Sequence, residues 1–234
     1  MLATDYNLKT IKLKFNEYLE KYSLNYTCEE LDYIISNFEK FIYDKVAPDI
    51  LMQIYEELGV EHRIGTFYQE HFNRIKYRFG LDINILEIGS GKMPSFANKV
   101  ACYQQIIQKG TITLYEPLLI IDEPKYPNMT LHKEKFTQDT IIKDYDLLVG
   151  IFPCETTRLI IEKACQNNKD FYIAMCGCVH NSMHIYPMTR SIYRDSIINT
   201  AAKLVEENNM GELVIDKLPE DYEIDYPILH NKRH

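Results

Sequence analysis

The 234-residue chain has no tryptophan, only nine glycines and fewer cationic than anionic residues: 26 Lys and Arg stand against 34 Asp and Glu, a formal net charge of −8. That deficit of cations argues against a bulk grip on nucleic acid, which rests on many Lys and Arg neutralising phosphates. No run approaches the roughly 18 consecutive apolar residues of a membrane-spanning helix. The N-terminal Met1-Leu-Ala-Thr-Asp5 has no charged-then-apolar signal pattern. A cytoplasmic protein without a membrane partner is expected. Six cysteines sit at uneven spacings, mostly within apolar segments, and read as buried thiols rather than a disulfide framework. The 18 tyrosines carry no functional reading. With 46% hydrophobic and 26% charged residues, the composition is that of a globular chain with room for one α/β domain and a modest addition.

The first eighty residues show helical periodicity and no strand-like alternation. Leu8, Ile11, Phe15, Tyr18 and Tyr22 form one stripe, and Leu31, Ile34, Ile35, Phe38, Phe41 and Ile42 a second. The second begins at Thr27-Cys-Glu-Glu30, a capping-box pattern. A third helix is expected from Pro48 to Gly59, and a fourth over 62–78 that ends at Gly80. On the fourth, Tyr68, His71 and Arg74 fall on one face, either packing or reaching over a site. After Gly80 short apolar runs alternate with helices. Strands are expected over 83–88, 111–115, 129–132, 145–150 and 170–175, with helices over 94–108, up to 167, and over 189–208. Two more strand-like runs, 212–216 and 225–230, end the chain and suit an antiparallel hairpin. Such alternation predicts a mostly parallel sheet with helices on both faces.

Glu87-Ile-Gly89-Ser90-Gly91-Lys-Met-Pro94 lies between a strand and a helix. Glycines there let the backbone turn sharply and approach a ligand, at which the following helix points free N–H groups. The second strand ends in Tyr115-Glu116-Pro117, with Glu116 27 residues after Gly89. A carboxylate at that place can grip a ribose through both hydroxyls. G-x-G-x-x-G, the NAD-type pattern, is absent.

These residues resemble the class I S-adenosyl-L-methionine (SAM)-dependent methyltransferases. Glu87-x-Gly89-x-Gly91 is similar to their first-strand motif, and Glu116 and Pro117 fall at their ribose-binding acid. Glu134 and Phe136 lie where that family contacts adenine, and Asp146-Leu-Leu-Val-Gly150-Ile-Phe152-Pro153 matches their fourth motif. The resemblance covers about residues 80–231. It implies S-adenosyl-L-methionine as cofactor and a Rossmann-like, seven-stranded, mostly parallel sheet. An N-terminal helical cap over 1–80 would precede a SAM-binding domain over 81–234. Met93 stands where the family often has a third glycine. The loop followed by Pro94 is also similar to nicotianamine synthase-like enzymes, which use the same cofactor to transfer an aminopropyl group. A non-catalytic SAM-binding member is a third alternative.

From strand four come Phe152-Pro153-Cys154-Glu155-Thr-Thr157, and from strand five Cys176-Gly-Cys178-Val-His180. The two segments partly resemble a methyltransferase branch that includes a tRNA ribose methylase; Phe152 and Glu155 depart from it, so an RNA acceptor is not favoured. The Asp/Asn-Pro-Pro-aromatic segment of DNA amino-methylases is absent, which argues against DNA. A small-molecule acceptor is expected, and the oligomeric state stays open. Glu155, His180 and Tyr186, with His184, are the candidates for substrate contact or general base. Cys176, Cys178 and His180 alternate on one strand face and have metal-ligand chemistry, but no second ligand pair accompanies them, and packed thiols are the favoured reading.

Overall fold

In the computed structural model, which describes residues 8–27, 29–31, 47–59, 63–176, 190–219 and 227–233, the apolar runs after Gly80 pair into one seven-stranded sheet. Its strands are β1 (Asn84–Ile88), β2 (Thr111–Tyr115), β3 (Met129–His132), β4 (Leu147–Ile151), β5 (Asp170–Ala174), β6 (Glu212–Asp216) and β7 (Ile228–Lys232). The order is β3-β2-β1-β4-β5-β7-β6. The first five strands are parallel, and β7 runs antiparallel to both β5 and β6. The order reverses at β1, between β2 and β4, and ligands of open parallel sheets sit at the carboxyl ends beside such a point.

The central strands are apolar on both faces because helices cover both. The helices are α1 (Leu8–Lys21), α2 (Ala47–Glu57), α3 (Arg63–Phe79), α4 (Ser95–Ile107), α5 (Thr157–Gln166) and α6 (Arg190–Glu207). Ile85, Ile112, Leu114, Leu147, Val149 and Tyr172 pack on one face with Phe67, Phe72 and Ile75 of α3 and Phe96 and Val100 of α4. Leu86, Leu148, Phe171 and Ile173 pack on the other with Ile160 and Ala164 of α5 and Ile197 and Ala201 of α6. A separate cluster of Ile11, Phe15, Leu19, Ile50, Leu51 and Ile54 joins α1 to α2. Thus α3 shares the core of the sheet, while α1 and α2 build their own. The capping box at Thr27 forms as expected: Thr27 N–H donates to Glu30 Oε2 at 2.7 Å and Glu30 N–H to Thr27 Oγ1 at 3.2 Å. The rest of that helix, 32–46, lies outside the described residues.

β1 and β5 differ from expectation by one residue, and β4 and β7 differ more, for identifiable reasons. β4 begins at Leu147, after Asp146, whose carboxylate accepts the Asn84 N–H at 2.9 Å and whose backbone N–H donates to the Asn84 carbonyl. β7 extends through Asn231 and Lys232, with 225 and 226 outside the described residues. Asn231 is 2% exposed. Its Oδ1 accepts the Phe171 N–H at 2.9 Å and its Nδ2 donates to Asp170, so a polar residue is held inside the strand. No helix of the described residues is long and apolar enough to cross a membrane.

Candidate functional site

β1 ends in a tight left-handed turn. Gly89 and Gly91 have φ of +77° and +79°, a region that side chains resist. Gly89 N–H donates to Tyr115 O at 3.1 Å, carrying the β1–β2 ladder one bond past the strand. A Cβ at Gly89 would lie 2.9 Å from Pro153 Cα, so the loop after β4 presses on the glycine turn. Glu87 and Ser90 are buried beside it, and Ser90 Oγ lies 3.4 Å from Gly91 O.

Glu116, 6% exposed, follows β2. Its Oε2 accepts the Gly91 N–H at 3.0 Å and its Oε1 the Leu118 N–H at 2.9 Å. Each carboxylate oxygen has a further acceptor direction; these two bonds orient the group and leave it able to accept ligand hydroxyls. Pro117 is exposed beside it. Ser95 opens α4 and is 4% exposed, and its Oγ has no hydrogen-bond partner among the described residues. Its own N–H donates to Met93 O at 3.0 Å, and the other N–H groups of that first turn lie at the positive end of the helix dipole. Sequence reasoning missed Ser95, although a serine at the start of the helix after a glycine loop is a legible signal. Next to this turn an open cleft of about 680 Å³ is lined by Tyr22, Met93, Pro94, Asn98, Ile120 and Lys125, among others; Gly89, Ser90, Gly91 and Glu116 do not line it.

Toward β3, Tyr115 and His132 stack with centroids 4.4 Å apart. Phe136 is 4% exposed, edge-on to Tyr115 at 6.2 Å, and turned into the core. Lys163 of α5 donates to Gln138 O at 2.5 Å and lies 5.8 Å from the Phe136 ring centroid. Burial lowers the Lys163 pKa. Glu134 is exposed, with Oε1 3.4 Å from His132 Nδ1.

The end of β4 is strained. Phe152 and Cys154 both have φ of +55°, and each non-glycine residue in this region costs roughly 1–2 kcal/mol. The turn is held by Phe152 N–H to Ala174 O at 2.9 Å, by Thr156 Oγ1 to Pro153 O at 2.5 Å and by Thr157 Oγ1 to Cys154 O at 2.7 Å. Gly150 is buried mid-strand, and a Cβ there would meet Pro153 Cγ at 2.7 Å. The missing side chain of Gly150 therefore makes room for Pro153. Phe152 stacks on Phe67 of α3 at 5.3 Å. Glu155 sits exposed on the short 3₁₀ turn Cys154–Thr156.

Cys176 is buried at the end of β5, while Cys178, His180, His184 and Tyr186 lie outside the described residues. Among the described residues no group of three or more His, Cys, Asp or Glu gathers as a metal site. Four described cysteines, Cys102, Cys154, Cys165 and Cys176, form no disulfide. Burial pushes the Cys165 thiol up to about 11. On α3, His71 is fully buried, with Nδ1 2.7 Å from the Tyr172 hydroxyl, and Arg74 pairs with Glu70 and Asp216. His71 thus packs against the middle of β5, and Arg74 reaches Asp216, the last residue of β6. Burial pushes the His71 pKa down to about 3 and raises that of Tyr172.

No protein-family model and no curated protein matches the chain. Solved structures similar to it include the plantazolicin methyltransferase in complex with a monoazolic desmethylPZN analogue and S-adenosylhomocysteine (SAH), at 9% identity and TM-score 0.48, covering 88% of this chain and 97% of that one. Human N-acetylserotonin methyltransferase in complex with SAM shares 11% identity at TM-score 0.46, covering 96% of this chain and 66% of that one. Precorrin-6y C5,15-methyltransferase from Geobacter metallireducens shares 16% identity at TM-score 0.37, covering 65% and 80%. At such scores none of them says what this chain binds.

Proposed function

We propose that the chain binds S-adenosyl-L-methionine across the ends of β1, β2 and β4 and transfers its methyl group to a small-molecule acceptor. One observation carries this reading. The Glu116 carboxylate, oriented by Gly91 N–H and Leu118 N–H, stands directly against a left-handed glycine turn at the point where the strand order reverses. The residues present fit the cofactor. Glu116 accepts the two ribose hydroxyls through its remaining lone pairs. Gly89, Ser90 and Gly91, beside Glu87, let the backbone approach closely. Ser95 Oγ and the first-turn N–H groups of α4 suit the carboxylate of an amino-acid end. Pro117 and Glu134 border the base with the buried Phe136 packed beneath them, and Phe152 and Pro153 form the wall toward the reacting carbon, with Gly150 making room for Pro153.

Bound there, the cofactor supplies an electrophilic methyl carbon on a sulfonium. The chain's part is to hold an acceptor in line with that carbon and to exclude water, since positioning supplies most of the rate in such a displacement. Glu155, with His180 and Tyr186 from the segment after β5, are the proposed acceptor contacts and proton acceptors. The net charge of −8 disfavours RNA. The proposed division is a cap over 1–80 and a cofactor domain over 81–234, with α3 the part of the cap that docks on the sheet.

A thermal-shift comparison tests the reading, because a ligand that binds only the folded state raises its melting temperature. SAM and SAH should raise it and NAD should not; a response to NAD alone would overturn the assignment. Product analysis then separates the reactions. Methyl transfer releases SAH, whereas aminopropyl transfer releases methylthioadenosine.

A further inference from the structure

Two loops from neighbouring strands, β1 and β4, meet at the site, and only one of them is built of residues suited to its backbone. The glycine turn after β1 uses Gly89 and Gly91 for its positive φ values. The turn after β4 adopts the same left-handed conformation at Phe152 and Cys154, residues for which it is strained. Strain of this kind persists only where the surroundings over-determine it.

Hydrogen bonds from Phe152 N–H, Thr156 and Thr157 hold the backbone of that turn. The Phe152 side chain is held by something else. Its ring lies on Phe67 of α3, with centroids 5.3 Å apart and planes 22° from parallel. Phe67 is in turn edge-on to His71, one helical turn along α3, at 4.5 Å and 80°. His71 is anchored to the sheet by the Tyr172 hydroxyl at 2.7 Å. A continuous path of rings therefore runs from the middle of β5, through α3, to the strained residue. On the far side of that residue Pro153 presses on the glycine turn, so closely that a Cβ at Gly89 would come within 2.9 Å of it.

We propose that Phe67, oriented by His71, is a positioning residue: it clamps Phe152 in the left-handed conformation and thereby sets Pro153 against the glycine turn in the shape that takes the cofactor. This rests on the reading of the site given above. It makes Phe67 and His71 part of the binding machinery, although neither needs to touch the ligand.

The clamp is separable from ordinary packing. Phe67→Leu keeps an apolar side chain in the core and removes the ring. When only a fraction of molecules holds the competent turn, the apparent affinity falls by that fraction, so the Kd for SAH should rise roughly tenfold. Ile75→Ala, on the same helix and equally buried, should lower the melting temperature and leave Kd unchanged. Phe152→Gly supplies a residue that adopts positive φ unaided. In that background Phe67→Leu should have no further effect on Kd.

Calorimetric titration of SAH into the wild type, the three single variants and the Phe67→Leu/Phe152→Gly double variant reads all of this. An unchanged Kd in Phe67→Leu, an equal loss in both backgrounds, or a Kd loss in Ile75→Ala as large as in Phe67→Leu would overturn the clamp while leaving the cofactor reading intact. Absence of binding to the wild type would overturn the cofactor reading, and the clamp with it.

Discussion

Glu116 is held by two backbone N–H groups before any ligand arrives, at 3.0 and 2.9 Å. A charged acceptor prepared in this way makes strong bonds to ligand hydroxyls, each worth roughly 1.5–3 kcal/mol. Glu116→Ala should therefore raise the Kd for SAH by about a hundredfold or more, the equivalent of two such bonds. Glu116→Gln keeps one acceptor oxygen and should lose less. Equilibrium binding of the two variants checks the order, and equal affinity for wild type and Glu116→Ala would sink the ribose assignment. His71 makes a prediction about stability. Burial holds its folded pKa near 3, below the 6.5 of an ordinary histidine. The unfolded chain therefore binds more protons between those values, and the stabilisation, complete above about pH 6.5, is lost as pH falls toward 3. For this one group the slope reaches about 1.4 kcal/mol per pH unit. Urea unfolding at a series of pH values should show that slope in the wild type and less of it in His71→Phe. His230, also lowered by burial, adds to the slope in both proteins and cancels in the difference.

The elements separate features that serve the ligand from those that serve the sheet. Gly89 and Gly211 both have positive φ, at +77° and +88°. A Cβ at Gly89 would strike Pro153, within the site, whereas one at Gly211 would lie 2.0 Å from Lys232 O, across the β6–β7 hairpin. Gly89→Ala should weaken SAH binding as well as stability. Gly211→Ala should lower the melting temperature and leave the Kd of the remaining folded protein unchanged. Paired thermal unfolding and binding of the two variants distinguishes these outcomes. At this scale much was legible in the sequence. β2, β3 and β6 fall on the expected residues because each is an apolar or β-branched run between polar turns. The end of β7 was not legible, because Asn231 reads as a turn residue until its side-chain bonds to Phe171 and Asp170 are seen. The helical stripe of α3 was visible, but periodicity names a face and not its partner. It did not reveal that Phe67 and His71 belong to the core of the sheet. Ser95 is half legible: its place at the start of the helix after a glycine loop is in the sequence, whereas the burial of its hydroxyl, without a partner among the described residues, is a property of the fold.

For the whole molecule, the order β3-β2-β1-β4-β5-β7-β6 brings the glycine turn, Glu116 and the strained β4 turn to one edge of the sheet. These segments are distant in sequence, and the spacing of Glu116 from Gly89 was the feature that pointed to their meeting. With a net charge of −8, binding of the cofactor should depend weakly on salt, unlike a grip on phosphates that releases counterions. The most direct test of the account is calorimetric titration of SAH into the purified protein, beside the Glu116→Ala variant. Saturable one-site binding to the wild type, lost in the variant, is the expected result. No heat and no thermal shift with excess SAH, or equal binding by both proteins, would contradict it.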